Sequence, residues 1–369
     1  MGEKNTDLIK ALWAYDLGGE IISATPYGSG HINDTFLVSV RVTSQKTSRF
    51  ILQKINTSVF KRPTEVMDNI VNVTEYLKKI IIENGKDPNR HTLSVLKSKQ
   101  GNNCFFDSHG GVWRCMKFIE GTKCLQKAQT PLQFYSAAKS FGYFMWQLKD
   151  YPAHTLFETI KDFHNTPVRF MDFEKALCAD KLNRVKFAVN EIDFILKRKS
   201  HCNYLTDKVK NGLLPLRLTH NDTKLNNLLI DENTGEGVCV IDLDTIMPGL
   251  SVNDFGDAIR FGANTAQEDE RDLSLVRFDL EMFEAYTKGY LEAAGAALTL
   301  EEKHCLVFGA KLMSLECAIR FLTDFLQGDT YFKVDREYQN LDRARTQLKL
   351  VQEMENVWDK MEAIVNKYI

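Results

Sequence analysis

No two of the eight cysteines form a C-x-x-C pair; they stand singly at positions 104, 115, 124, 178, 202, 239, 305 and 317. The histidines do not gather beside them. This excludes the ligand spacing of a structural zinc site, offers no disulfide framework, and suits a reducing cytoplasm. Net charge is equally scarce. With 47 basic against 49 acidic residues the formal charge is −2, which gives no field for nucleic acid or an anionic membrane surface. No apolar run approaches the ~18 residues of a membrane span, and no secretory signal opens the chain. A cytoplasmic protein without nucleic-acid or membrane partners is expected. The triplets Asn33-Asp34-Thr35 and Asn221-Asp222-Thr223 would be glycosylation acceptors only in a secreted chain. Repeats, low-complexity tracts and polar linkers are absent too. What is present is an ordinary globular composition over 369 residues, enough for one domain of two lobes or for two domains.

The first third of the chain alternates with a period of two. Strands are predicted over 20–26, 35–42 and 49–55, with Tyr27-Gly28-Ser29-Gly30 a tight turn between the first two. A helix follows over 63–83. Its apolar residues Val66, Ile70, Val73 and Leu77 recur at three and four, and Pro63 suits its first turn. Further strands are predicted over 91–96, 104–107 and 112–118, giving a β-sheet with one helix. Past Gly121 helices predominate, over 131–148, 280–293, 301–326 and 341–368, with another containing 191–199. A short β insert interrupts them: a strand over 216–219 and a hairpin pairing 227–231 with 238–242. The expected fold class is α+β, with a β-rich N-lobe of residues 1–121 and a mostly helical C-lobe of residues 122–369.

Between that strand and that hairpin lies His220-Asn221-Asp222-Thr223-Lys224-Leu225-Asn226-Asn227. It fits H-x-D-x-K-x-x-N, which supplies what phosphoryl transfer needs: a carboxylate for a hydroxyl, a cation for the moving group, an amide for a metal ion. Asp222 would orient the acceptor hydroxyl and take its proton. Lys224 would contact the transferred phosphoryl or serve the loop structurally, and Asn227 would bind Mg²⁺. His220 would buttress the loop. Fifteen residues after Asn227 the apolar run ends in Ile241-Asp242-Leu243-Asp244. Asp242 is the candidate second ligand of Mg²⁺; Asp244 would meet a second ion or the substrate. Asp254-Phe255-Gly256 spells D-F-G, but it lies beyond Pro248-Gly249, and a direct hairpin cannot return it to Asn227. Asp254 is expected to cap a helix or brace a loop.

For the nucleotide, ATP, the N-lobe offers a glycine turn and a cation. Gly28 and Gly30 would let backbone N–H groups approach phosphates, with His31 and Asn33 reaching the triphosphate from the same loop. Taken alone, the glycines also fit a plain hairpin turn. The third strand carries Gln53 and Lys54. Successive strand residues face opposite ways, so only one of the two points inward. Lys54 has the charge that α/β-phosphates need, while Gln53 may hold the lysine register.

With these motifs the chain resembles the aminoglycoside phosphotransferase family, whose fold is protein-kinase-like and bilobal. The resemblance covers nearly the whole length. It includes Tyr27 to Asn33, Thr219 to Asn227, Ile241 to Gly249 and Asp254 to Ala263. The stretches Glu316-Cys317-Ala318-Ile319-Arg320-Phe321-Leu322 and Gly328-Asp329-Thr330-Tyr331-Phe332 resemble the subfamily of N-acetylhexosamine 1-kinases in particular. The resemblance implies phosphorylation of the anomeric hydroxyl of N-acetylglucosamine or N-acetylgalactosamine, with ATP and Mg²⁺ as cofactors and Arg320 and Tyr331 as sugar contacts. Eleven residues span about three helical turns, so the chain must leave the helix for both to meet one ligand, and Gly328 supplies a break. Rival readings are a kinase for another small alcohol (another hexose, homoserine, choline, an aminoglycoside) and a nucleotide-binding pseudokinase scaffold. Arg320 disfavours a polycationic acceptor, and the set of Asp222, Asn227 and Asp242 disfavours a pseudokinase. No A-P-E activation segment is present, which favours a small-molecule acceptor over a protein.

Overall fold

The structure is a computed structural model describing residues 3–28 and 32–369. Helix α1 (Glu3–Trp13) precedes three antiparallel strands, β1 (Glu20–Pro26), β2 (Asp34–Arg41) and β3 (Thr47–Ile55). Helices α2 (Pro63–Glu83) and α3 (Pro88–His91) follow, then β4 (Val95–Leu96), β5 (Phe105–Phe106) and β6 (Val112–Lys117). The sheet runs β1-β2-β3-β6-β4 with β5 paired to β6, six strands in all. The predicted strand over 91–96 survives only at its end. Asp87 accepts from Asn89 N at 2.9 Å and Pro88 opens a helical turn there instead.

The two faces of β3 have different neighbours. Phe50 and Leu52 lie in a small core with Ala11, Leu12 and Val38, which α1 closes over the outer face. Ile51 and Ile55 belong to the opposite face and pack on the large core that α2 shares with the helical lobe. Helix α2 is docked there by Asn69, whose Nδ2 donates to Phe157 O at 2.8 Å and Ile246 O at 2.9 Å.

The helical lobe begins after β7 (Thr122–Cys124) with α4 (Pro131–Gln147), α5 (Thr166–Ala179), α6 (Val189–Leu196) and α7 (Tyr204–Lys210). The β insert is β8 (Arg217–Thr219), β9 (Leu228–Asp231), β10 (Gly237–Val240) and β11 (Met247–Gly249). β9 pairs with β10 and with β7, while β8 pairs with β11. Helices α8 (Ser251–Gly262), α9 (Leu280–Ala294), α10 (Leu300–His304), α11 (Leu306–Gln327), α12 (Gln339–Asn356) and α13 (Trp358–Tyr368) complete the chain. Two long predicted helices are thus broken, at Cys305 and at Val357. The first break follows a capping box of Thr299 and Glu302 in which Glu302 is also pulled toward Arg217 and Ser251. Helix α11 contributes to two hydrophobic cores, so it is buried on most of its circumference and fixes whatever it carries. Among the described residues no helix is long and apolar enough to cross a membrane.

Candidate active site

The loop from His220 to Asn227 is held from all sides before any ligand arrives. Asn221 has φ +64°, a left-handed state that few side chains adopt. Asp254, in the first turn of α8, accepts the N–H groups of His220 (2.8 Å) and Asn221 (2.7 Å). It is a brace inside the helix, not its N-cap. His220 Nε2 donates to Ile241 O at 2.8 Å, and its Nδ1 accepts from Asp222 N at 3.2 Å. That fixes one tautomer and leaves no lone pair for a substrate proton.

Asp222 points into the space this loop frames. Lys224 Nζ lies 3.0 Å from its Oδ1, and Asn227 Nδ2 donates to its Oδ2 at 3.0 Å. Burial alone would raise the Asp222 carboxyl, but the Lys224 ammonium, His220 and these hydrogen bonds bring it below the usual range. Asp222 in turn raises the Lys224 ammonium. The carboxylate therefore stays ionised and ready to accept a hydroxyl.

Asn227 and Asp242 meet where β9 and β10 diverge, since Ile241 N donates to Asn227 O at 2.9 Å. The amide nitrogen of Asn227 is engaged by Asp222, which leaves its Oδ1 without a donor among the described residues. Asp242 has φ +60° and an exposed side chain that accepts no hydrogen bond among the described residues. Crowding by protein, then the carboxylates of Asp244 and Asp222, push it up to about 6. Two oxygen donors with further carboxylates nearby suit a hard divalent cation such as Mg²⁺.

Three expected site residues, Lys54, Asp244 and Asn33, are placed differently, and Gln53 takes the cleft side of its strand. Lys54 shares the outward parity of Leu52: its Nζ lies 3.8 Å from Asp107 Oδ2 and 5.4 Å above the Trp113 ring. Gln53 faces the cleft side and donates to Thr35 Oγ1 at 2.9 Å. Asp244 is 3 % exposed and bonded through both oxygens to the Arg114 guanidinium, with Oδ2 also accepting from Asn33 Nδ2 at 2.7 Å. Asn33 Oδ1 accepts from Asn56 N at 2.9 Å, so both ends of its amide are engaged by protein groups. Gly28 has φ +80°, as a tight turn requires; Gly30 and His31 lie outside the described residues.

Arg114 is the cation that the sequence reading passed over. It stands opposite Gln53 across β3 and β6, and its Nε donates to Gln53 Oε1 at 2.9 Å. A charged residue inside the buried stretch from Val112 to Met116 was the available signal, because a buried arginine needs a partner. The pair ties the sheet to the short turn that carries Asp242. Arg114→Gln should cost about 3–5 kcal/mol by leaving a buried carboxylate uncompensated. The double variant with Asp244→Asn should be more stable than the two single losses added together. Urea unfolding of the four chains measures this, and simple additivity would remove the pair as a strut.

Arg320 and Tyr331 do come together. Helix α11 ends at Gly328, φ +101°. Asp324 then accepts the N–H groups of Thr330 (2.9 Å), Tyr331 (2.8 Å) and Phe332 (2.9 Å), folding the chain back. The Arg320 guanidinium lies 5.2 Å from the Phe163 ring centre, 5.5 Å from Phe332 and 5.9 Å from Tyr331. Among the described residues it makes no ion pair and no hydrogen bond.

The sequence model of the phosphotransferase enzyme family matches residues 23–297, well over half of the chain. The chain belongs to this family. Three solved structures share the fold of this phosphotransferase. A microcompartment-associated aminopropanol kinase is 16 % identical, with TM-score 0.65 and 97 % and 98 % of the two chains covered. Amicoumacin kinase, in complex with AMP-PNP, Ca²⁺ and Ami, is 14 % identical, with TM-score 0.61 over 96 % and 94 %. Choline kinase from Cryptosporidium parvum Iowa II is 17 % identical, with TM-score 0.54 over 94 % and 92 %. The antiparallel N-terminal sheet and the helical lobe of this phosphotransferase are thus those of small-molecule kinases.

Proposed function

We propose that this phosphotransferase transfers a phosphoryl group from ATP to the anomeric hydroxyl of an N-acetylhexosamine, giving the sugar 1-phosphate. Residues up to 121 would bind the nucleotide, and residues 122–369 would carry the catalytic and sugar sites. The observation that carries the acceptor reading is Arg320: a guanidinium without an ion-pair partner among the described residues, framed by three aromatic rings on the helix behind the catalytic loop. It favours a neutral, oxygen-rich acceptor over choline, aminopropanol or an aminoglycoside, because a fixed positive charge repels a cation. Rings beside it offer the apolar face that a pyranose covers, with Tyr331 as a further sugar contact. A cavity of about 480 Å³ opens between Lys127 and α8, where it reaches Arg260 and Glu268. Those two charges also act on Lys224, so there is room for a small molecule near the loop.

A divalent cation bound by Asn227 Oδ1 and Asp242 would neutralise charge on the triphosphate of ATP, and Mg²⁺ suits that oxygen donor pair. Asp222 accepts the acceptor hydroxyl and aims its oxygen along the line of attack. Its lowered proton affinity makes it an orienting group first. The proton passes to it as the oxygen gains its bond to phosphorus and becomes acidic. The anomeric hydroxyl is the most acidic hydroxyl of a sugar, which suits so weak a base. Lys224, anchored on Asp222, faces the transferred group as fixed positive charge.

Free sugars incubated with ATP and Mg²⁺, with product read by phosphorus NMR, test this. Phosphate is expected at C1 of N-acetylglucosamine or N-acetylgalactosamine, and 1-O-methyl glycosides should be inert because they offer no proton to Asp222. Arg320→Ala should raise the sugar KM roughly 10- to 100-fold, the loss of a charge-assisted hydrogen bond of ~1.5–3 kcal/mol, with little change in the ATP KM. Phosphate at C6, or equal turnover of the methyl glycoside, refutes the anomeric assignment and leaves the wider kinase reading.

A further inference from the structure

Glu316 lies one helical turn before Arg320 on α11, its side chain 1 % exposed and bonded to no lysine or arginine among the described residues. Its Oε1 lies 2.8 Å from His164 Nδ1, and its Oε2 accepts from Thr166 Oγ1 at 2.5 Å. The other ring nitrogen of His164, Nε2, lies 3.0 Å from the main-chain oxygen of Asn221. Both partners of the ring are acceptors, because an ionised carboxylate and a peptide carbonyl have no hydrogen to give. Each ring nitrogen must therefore donate, and only the imidazolium carries two N–H groups. The two side chains are 9 % and 1 % exposed, so water does not stand in for either bond. Beside an ionised Glu316, a neutral ring would set its nitrogen lone pair against either the carboxylate or the Asn221 oxygen in a dry site, which is costly.

The carbonyl in question belongs to the left-handed residue directly before Asp222. Asn221 is bonded through its N–H to Asp254, and its Nδ2 donates to Thr245 O at 2.9 Å. His164 fixes the remaining peptide oxygen, and with it the plane from which Asp222 projects. We propose that His164, kept as an imidazolium by Glu316, is a positioning residue that locks the Asn221–Asp222 peptide and couples it to the helix bearing Arg320. The kinetic consequence rests on the reading of Asp222 as the group that orients the acceptor hydroxyl.

The charged groups that face the ring are Glu316 and Arg320 from α11 and Asp254 from α8, with Arg169 of α5 beside the first two. Burial and Arg320 lower the ring's proton affinity. Glu316, through its charge and hydrogen bond, and the Asn221 carbonyl outweigh them and raise it above the ordinary histidine value. A group raised on folding contributes fully below its unfolded value, and its contribution is lost as pH rises through the folded one. The lock therefore holds through neutral pH and loosens on the alkaline side.

The test uses the full chain with isotopically labelled histidine rings. The His164 ring, assigned by its loss in His164→Gln, should show two protonated nitrogens at pH 7 and titrate above ~6.5. A neutral tautomer at pH 7 overturns the proposal. In kinetics, His164→Gln and Glu316→Gln should lower kcat roughly 10- to 100-fold through misplacement of Asp222. The ATP KM should hold, and the alkaline fall in wild-type kcat should vanish from the His164→Gln profile. A folded His164→Gln chain with wild-type kcat and an unchanged pH profile also overturns it. The NMR arm needs no substrate: a charged ring in a wild-type chain that phosphorylates no sugar counts against the acceptor reading, not against the imidazolium.

Discussion

Asp222→Asn is expected to lower kcat by on the order of 10² to 10⁴ in a chain that still folds and still binds nucleotide. In transition-state terms this is about 3–5 kcal/mol. The loop does not depend on the carboxylate charge for its shape. The N–H of residue 222 donates to His220 Nδ1 at 3.2 Å, and its main-chain oxygen accepts from Asn227 Nδ2 at 2.8 Å. Both bonds survive the substitution. Asparagine also keeps one side-chain oxygen for Lys224 or Asn227. Lys224 loses its nearest counter-charge but retains the field of Asp257 and Glu268. What disappears is an ionised acceptor for the substrate proton. Turnover measured with excess acceptor, beside calorimetric binding of a non-hydrolysable ATP analogue, separates chemistry from folding. A folded variant with near-wild-type kcat would falsify the assignment of Asp222. A wild-type chain that binds nucleotide and phosphorylates no small alcohol would point to a scaffold.

The parts of the fold and site that could be read from the chain are those set by local pattern. Helix α2 and strand β1 fall where their periodicities place them, because apolar spacing and Pro63 act within a few residues. The meeting of Tyr331 and Arg320 was implied by the subfamily resemblance and not by local pattern; Gly328 marked only where the helix could end. What escaped was set by partners far along the chain. Whether Gln53 or Lys54 faces the cleft is a one-residue parity, decided by which side α1 covers. Asp244 looked like a ligand for substrate or metal because its spacing is that of a metal-binding pair. Its actual neighbour, Arg114, lies 130 residues away in sequence. His164 stood in no motif at all. It acquires a role only when α11 brings Glu316 to one side of it and the catalytic loop brings Asn221 to the other.

The same dependence on distant partners separates two aspartates that a motif search would confuse. Asp242→Ala is expected to abolish cation-dependent nucleotide binding, whereas Asp254→Ala is expected to lower stability and keep the cation dependence. Asp242 is exposed, accepts no hydrogen bond among the described residues, and sits in a field of like charges with Asn227 beside it. Removing a residue that merely supports a metal ligand costs ~10–100-fold in affinity, and removing a ligand should cost no less. Folding should be little affected, because an exposed carboxylate repelled by its neighbours contributes no favourable contact to lose. Asp254 is the opposite case. It is 7 % exposed, and its two oxygens accept the N–H groups of His220 and Asn221. Alanine would orphan both buried donors, at about 1–3 kcal/mol each. The decisive measurement is a titration of nucleotide with and without Mg²⁺ into both variants, paired with urea unfolding. Retained Mg²⁺ dependence in Asp242→Ala together with its loss in a folded Asp254→Ala would show that Asp254, the D-F-G aspartate, holds the cation after all.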